Sequence, residues 1–263
     1  MKRTDAELVV GARAHYEDPA YYAHTYRRRL DDIAYYVGLA RGVSAVLEYG
    51  IGSGRIAIPM AHVGAKVVGV DHSRPMLREL AQHLTLEPVA VAKRVTARLG
   101  DIRRVKLRRR FPLVIAPFNV LLHLYTRADV ERFLARVREH LAPRGAFVMD
   151  LSMPRPEDLA LDPMKALHAP RFRHPSAGVV RYREYFDYDG ARQILFITTE
   201  LTPVESPRDS FMIPLAHRQF FPREWEALLH YNGFKVEHVY GDFARKPLES
   251  HSDTMVFHAR AAR

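Results

Sequence analysis

The chain has 263 residues, 48% of them hydrophobic, and a formal net charge of +10 from 40 Lys and Arg against 30 Asp and Glu. That length builds one large core, or a core carrying an insertion, and no apolar run approaches the length of a membrane-spanning helix. Cysteine is absent, which excludes disulfides and thiolate metal sites and leads us to expect a reducing, cytoplasmic setting.

The start, MKRTDAELVV, carries charges without a following apolar segment, so no secretory leader is expected there. PAYYAHTYRRRLDDIAYYVGLA (19–40) reads as one helix with Tyr22, Tyr26, Ile33, Val37 and Ala40 near one face. Strand and helix then alternate. VSAVLEYG (43–50) is a buried strand, SGRIAIPMAHVG (53–64) a helix and AKVVGVD (65–71) a second strand. SRPMLRELAQHL (73–84) is a helix with Ser73 as N-cap and Pro75 in its first turn. VTARLGD (95–101) and FPLVIAPFN (111–119) are the third and fourth strands, the latter apolar almost throughout, as a strand covered on both faces should be. Residues 126–142 form the clearest helix: Thr126 caps it with Asp129 three residues on, and Val130, Phe133, Leu134, Val137 and Leu141 make its buried stripe. Pro143 and Gly145 stop it, and GAFVMDLSM (145–153) is a fifth strand.

This alternation predicts an α/β fold with parallel strands and right-handed crossovers. After Pro154 the pattern changes to a proline-rich, irregular stretch. VVRYREYFDYDGARQILFITTELT (179–202) alternates polar and apolar around Asp189-Gly190 and predicts a β-hairpin, and FMIPLAHRQF (211–220) can add a strand. PREWEALLHYNGF (222–234) is a helix opened by Pro222 and stopped by Gly233, and KVEHVYGDF and DTMVFHARA supply the last strands.

The basic residues are mostly arginine and are spread along the chain, densest in RRVKLRRR (103–110) with six cations in eight residues. Such a run invites a nucleic-acid reading, but a solvated loop is the reading we prefer.

EYGIGSGR (48–55) holds the most informative pattern. A dinucleotide fingerprint aligned on Gly50 and Gly52 has Arg55 where its third glycine belongs. The pattern present is acidic-x-G-x-G-x-G, from Glu48 through Gly50 and Gly52 to Gly54. Dinucleotides bring an anionic pyrophosphate to the helix N-terminus, whereas S-adenosylmethionine brings an amino-acid tail, a sulfonium and a nucleoside. Glycines let the backbone approach that tail, and Glu48 suits the cationic portion, directly or through water. Asp71 ends the second strand, where a carboxylate accepts from both ribose hydroxyls; dehydrogenases share this feature. Asp101 in LGDI follows the third strand, where it can accept from an adenine amino group with Ile102 against the ring. Pro117 to Asn119 close the fourth strand. All four pieces lie at the carboxyl ends of strands, where open α/β sheets bind ligands.

In these motifs the chain resembles a class I S-adenosylmethionine-dependent methyltransferase. VLEYGIGSGRIAIPMA resembles the first motif of that family, VVGVDHSRPML its second, and LGDIRRVKLRRRFPLVIAPFNVLLHL the stretch through the fourth strand. The resemblance runs from about residue 19 to the end and is weakest over 154–217. It implies a Rossmann-like, seven-stranded, mostly parallel sheet with helices on both faces and a final antiparallel strand, plus an inserted β-hairpin cover. It implies S-adenosylmethionine as cofactor, held by Glu48, Gly50, Gly52, Gly54, Asp71, His72, Met76, Asp101, Ile102, and Phe118 or Asn119. Ile51 and His72 depart from the usual pattern; His72 either borders the adenosine or lies on the surface.

Near His123, in FNVLLHL, the resemblance narrows to small-molecule methyltransferases, including amino-sugar N-methyltransferases. There His123 takes a proton from the acceptor, unless it is a core histidine bonded to backbone. Arg29 either holds the methionine carboxylate or pairs with Asp32 or Glu7. Tyr16, Tyr21 and Tyr22 form a lid or simply pack, and the resemblance places Arg218 and Asp242 on the substrate side. The expected organisation is a helical lid over 1–42, the cofactor-binding core over 43–153, a substrate cover over 154–217, and 218–263 completing the core sheet.

The expected activity is methyl transfer to a small-molecule N or O nucleophile, with no metal and no membrane partner. An RNA or protein methyltransferase is the first alternative; against it, the fourth strand ends APFN, not in the N-P-P-aromatic order of base-amino methylation, and no RNA-binding module is visible. A non-catalytic nucleoside-binding regulator is the second. The oligomeric state is left open, a homodimer included.

Overall fold

Val46, Leu47, Val67, Val70, Val114 and Ile115 are all buried. They lie on β1 (Ala45–Tyr49), β2 (Lys66–Asp71) and β4 (Phe111–Ala116), and β1 pairs in parallel with both of the others. β3 (Val95–Leu99) joins β2 and β5 (Leu141–Ser152) joins β4, again in parallel. Strands this apolar need helices over both faces. The intervening chain supplies α4 (Ala57–His62), α5 (Arg74–Leu86), α6 (Val89–Ala92) and α7 (Arg127–His140). β11 (Thr254–Ala261) runs antiparallel between β5 and β10 (Phe234–Tyr240). The sheet order is β10-β11-β5-β4-β1-β2-β3. Winding proceeds from β1 to β2 and β3 and then reverses to β4, which makes the carboxyl ends of β1 and β4 the switch point where such sheets take ligands.

The computed structural model describes residues 4–262. This sheet belongs to a unit made of Arg29–Met153 and Phe221–Arg263. It also contains α3 (Asp31–Ala40) and α9 (Pro222–Tyr231). Trp225 on α9 is fully buried, and its indole N–H points at the Met149 sulfur, 3.4 Å away. The second unit combines the chain up to Arg28 with Pro154–Phe220. It holds α1 (Asp5–Gly11), α2 (Pro19–Tyr26) and α8 (Pro156–Leu159). Its antiparallel sheet runs in order β6 (Leu167–His174), β7 (Gly178–Asp189), β8 (Ile194–Pro203), β9 (Phe211–Arg218).

Several predicted signals act as read. Ser73 caps α5 by accepting from Met76 N–H, and Thr126 and Asp129 form a reciprocal capping box on α7. Asp189 turns the hairpin by accepting from the N–H groups of Ala191 and Arg192, at 3.1 and 3.0 Å. Three readings are corrected. The helix expected over 19–40 is two helices, α2 and α3, parted at 27–30 where the two units also part. α7 stops at His140 and β5 begins at Leu141, because Leu141 already pairs with Phe111. The stretch read as irregular contains β6; Pro170 sits there at a register shift on an edge strand, the place where a sheet tolerates proline.

Candidate cofactor site

The three glycines after β1 all have left-handed backbones, with φ of 75° at Gly50, 53° at Gly52 and 87° at Gly54. Only glycine takes these values without strain. Two of them also have packing reasons. A Cβ on Gly50 would lie 2.0 Å from Val120 Cγ2, and one on Gly54 would lie 2.5 Å from Leu80 Cδ1. Gly50 thus lets the 3-10 turn Val120–His123 close on the loop, and Gly54 lets α5 do so. Gly52 differs: its nearest neighbour would be the flexible end of Met76, at 3.2 Å. Ile51, the departure from the usual pattern, is buried and lies over Gly69, where a Cβ would meet it at 2.2 Å.

Asp71, at the end of β2, fastens this loop. Its Oδ2 accepts from Gly52 N–H and its Oδ1 from Ser73 N–H, each at 2.8 Å. His72 beside it is half exposed, with Nδ1 3.9 Å from the Asp71 carboxylate. Met76 is buried at the start of α5. Glu48 is 2% exposed, and its Oε2 is buried without a hydrogen-bond partner among the described residues. Burial raises its pKa well above the carboxylate range; Arg55 opposes that shift and Asp71 adds to it. A buried acid with an open oxygen is the complement of a cationic group.

Asp101 and Ile102 follow β3, as expected. Asp101 has company the sequence did not disclose: Arg103 donates from Nε and Nη2 to its two oxygens, at 2.7–3.1 Å, and reaches on to Asp129 at 2.7 Å. Burial alone would raise Asp101, but these bonds from Arg103 hold it below its ordinary value.

After β4 the chain takes two successive left-handed residues that are not glycine, Phe118 (φ 55°) and Asn119 (φ 65°). Such strain persists only where surrounding structure enforces it. Here β5 does so: Asp150 Oδ1 accepts from Phe118 N–H at 2.9 Å, and the Asn119 side chain donates from Nδ2 to Ser152 Oγ at 2.8 Å and accepts the Ser152 backbone N–H at 2.6 Å.

A buried ionic cluster adjoins this turn, and sequence reasoning missed most of it. Asp32 is completely buried. Arg55 grips both of its oxygens, at 2.9 and 2.6 Å, and Arg29 Nε binds it at 2.9 Å. Burial pushes Asp32 up, but these guanidinium bonds outweigh it and keep it low. Both guanidiniums lie near the Phe118 ring, at 4.6 and 4.8 Å from its centre. Arg29 is also 3.7 Å from Asp150, whose own value is raised by burial against bonds from Tyr36 (2.6 Å) and Phe118. Of the two options for Arg29, the pairing with Asp32 is therefore present, and its side chain remains about one-third exposed. A charged residue inside the apolar run GAFVMDLSM, and Asp32 in register with Tyr35 and Tyr36 on one helix face, were the available signals.

His123 ends the turn that closes on Gly50, with Nδ1 3.0 Å from the Tyr125 hydroxyl. Asp242 belongs to the same unit but serves its own loop, accepting from Lys246 N–H at 2.9 Å. Tyr16, Tyr22 and Arg218 lie in the other unit. Tyr16 and Tyr22 pack edge-on against buried His15, whose Nε2 is 3.0 Å from Tyr26 Oη. Burial lowers His15 to about 4. Arg218 donates to Gln193 Oε1 at 2.6 Å and covers the Phe220 ring. Among the described residues no group of acidic or histidine side chains has the arrangement of a metal site.

Comparison with known proteins bears on these features. Residues 46–145 match the family described as a methyltransferase domain. A ubiquinone biosynthesis O-methyltransferase of Bradyrhizobium diazoefficiens is 32% identical over 104 residues, covering 40% of this chain and 38% of that protein. The chain thus spans only about two fifths of the length of the curated relatives it matches. The CcbJ methyltransferase from Streptomyces caelestis superposes over 94% of this chain and 100% of its own, with a TM-score of 0.78 and 24% identity. An amino pentose methyltransferase from Micromonospora echinaspora, solved with S-adenosylmethionine bound, superposes over 98% and 97% with a TM-score of 0.64 and 20% identity. The chain therefore has the Rossmann-like methyltransferase fold, and residues 46–145 match the methyltransferase-domain family.

Proposed function

We propose that the chain methylates an amine or hydroxyl of a small molecule with S-adenosylmethionine as donor. The observation that carries this reading is the pairing of a left-handed Gly52, open on its Cβ side except for Met76, with a buried Glu48 oxygen that lacks a partner among the described residues. When bound, the cofactor supplies a methyl group already activated by its sulfonium. Glu48 and the glycine loop would hold its cationic tail, Arg29 its carboxylate, Asp71 its ribose, and Asp101, Ile102, Met76 and Phe118 its adenine side, with His72 and Asn119 at the rim.

The chain's remaining work is to orient the acceptor, exclude water and take up one proton. We assign the proton to His123, held by Tyr125. Acceptor recognition is assigned to the unit carrying Tyr16, Tyr22 and Arg218, whose stretch 154–217 serves as substrate cover. The name of the Micromonospora protein speaks of an amino pentose, which supports a small, amine-bearing acceptor. The nucleic-acid alternative is weakened at Arg103, which is tied to Asp101 and Asp129. Among the described residues no helix is long and apolar enough to cross a membrane, and cytoplasmic residence is our reading.

Calorimetry tests the donor: S-adenosylmethionine should bind and NAD should not, and the reverse preference overturns the reading. Incubation with pooled small molecules and RNA, followed by mass detection, tests the acceptor. His123→Ala should lower turnover by about 10²-fold at unchanged cofactor affinity. Wild-type turnover across pH 6–9 would remove His123 from proton transfer.

A further inference from the structure

The basic run after β3 has a fastening that neither the family match nor the cofactor assignment explains. Its Leu107 N–H donates to His140 Nε2 at 3.0 Å. His140 is the last residue of α7 and is completely buried. Its other nitrogen, Nδ1, lies 2.7 Å from the hydroxyl of Tyr49, the equally buried last residue of β1.

These contacts fix the chemistry of the ring. A backbone amide can only donate, so Nε2 is an acceptor and carries no proton. A neutral imidazole then holds its proton on Nδ1 and gives it to Tyr49 Oη. Burial lowers the basicity of His140 and keeps it in this neutral form; Glu139 opposes and Arg136 reinforces that effect. The imidazole is thus a dedicated acceptor at the end of α7.

The other end of the same helix holds the same loop. Asp129, in the capping box of α7, binds Arg103 Nη1 at 2.7 Å. The segment between β3 and β4 is therefore tied to α7 twice, through Arg103 near the helix start and Leu107 at its end. Asp101 is next to the first tie and bonds directly to Arg103. The cations of the run other than Arg103 are exposed, as a solvated loop requires, yet the run is tied to α7 through Arg103 and Leu107.

We propose that His140 is a positioning residue of the cofactor site: by accepting the Leu107 N–H it holds the loop that presents Asp101 and Ile102. The functional half of this proposal rests on the donor assignment above. His140 lies on the protein side of the loop and acts through Leu107, so removing its acceptor should loosen the loop without deleting a ligand contact.

The test compares His140→Leu, which has no acceptor, with His140→Gln, whose amide oxygen can occupy the place of Nε2. Amide hydrogen exchange at residues 103–107 and calorimetry with S-adenosylhomocysteine are the readouts. His140→Leu should exchange at least about tenfold faster there and bind about five- to tenfold more weakly. His140→Gln should stay within about twofold of wild type in both. Leu107→Pro removes the donor and leaves the imidazole in place, and it should reproduce His140→Leu if that variant does not fold. Unchanged exchange in both loop-loosening variants overturns the clamp. Faster exchange with unchanged ligand affinity overturns the positioning role. A wild-type chain that does not bind S-adenosylhomocysteine overturns the donor assignment, while exchange still decides the clamp.

Discussion

Asp71→Ala should raise the dissociation constant for S-adenosylmethionine by at least about a hundredfold. The carboxylate has two tasks. In this structure its oxygens accept the Gly52 and Ser73 N–H groups and so tie the glycine loop to the start of α5. In the proposed complex it also receives ribose hydroxyls. A lost hydrogen bond to a charged group costs about 1.5–3 kcal/mol, and an orphaned buried donor about 1–3 kcal/mol. Two such losses already correspond to a hundredfold or more. Asp71→Asn is the sharper variant, because its NH₂ must face one of the two backbone donors. Calorimetry, with a thermal melt to confirm folding, decides the matter. Binding by Asp71→Ala within about threefold of wild type would remove Asp71 from the site.

Gly50→Ala should be the most destabilising of the single-methyl substitutions in the loop. The added carbon would lie 2.0 Å from Val120 Cγ2, on a backbone with φ of 75°. Left-handed strain costs about 1–2 kcal/mol and overpacking about 1–3 kcal/mol, so about 2–5 kcal/mol is expected. For a chain of this size that lowers the melting temperature by about 4–20 °C. Gly52→Ala separates packing from binding: its methyl meets only the end of Met76, so it should melt higher than Gly50→Ala. A Gly50→Ala chain melting within about 2 °C of wild type would show that Val120 yields easily.

The parallel core was legible because its determinants are local. Buried strands announce themselves as apolar runs, Ser73 and Thr126 announce their helices by capping, and Asp189-Gly190 announces its hairpin. The carboxyl-end residues followed from the same frame, since strand ends fix where Glu48, Asp71 and Asp101 must fall. What stayed hidden depends on partners distant in sequence. Asp32 meets Arg55, and Asp150 meets Tyr36 and Phe118, only once the sheet has assembled. No local pattern says that Phe118 and Asn119 adopt left-handed backbones, because β5 imposes them. The break between α2 and α3 was missed for a related reason: helical periodicity continues across it in the sequence, while the two halves belong to different packing units.

The buried Glu48 oxygen, without a partner among the described residues, has a calorimetric consequence. Its acidity is so weakened by burial that the free chain keeps this carboxyl protonated over a wider range of pH than an ordinary glutamate. A cation arriving beside it favours the ionised form, so part of the binding reaction is the expulsion of a proton into the buffer. Heats of S-adenosylmethionine binding should therefore differ between buffers of small and large ionisation enthalpy, affinity should rise with pH, and Glu48→Gln should abolish both dependences. Identical heats in phosphate and Tris would mean that Glu48 keeps one protonation state through binding and releases no proton.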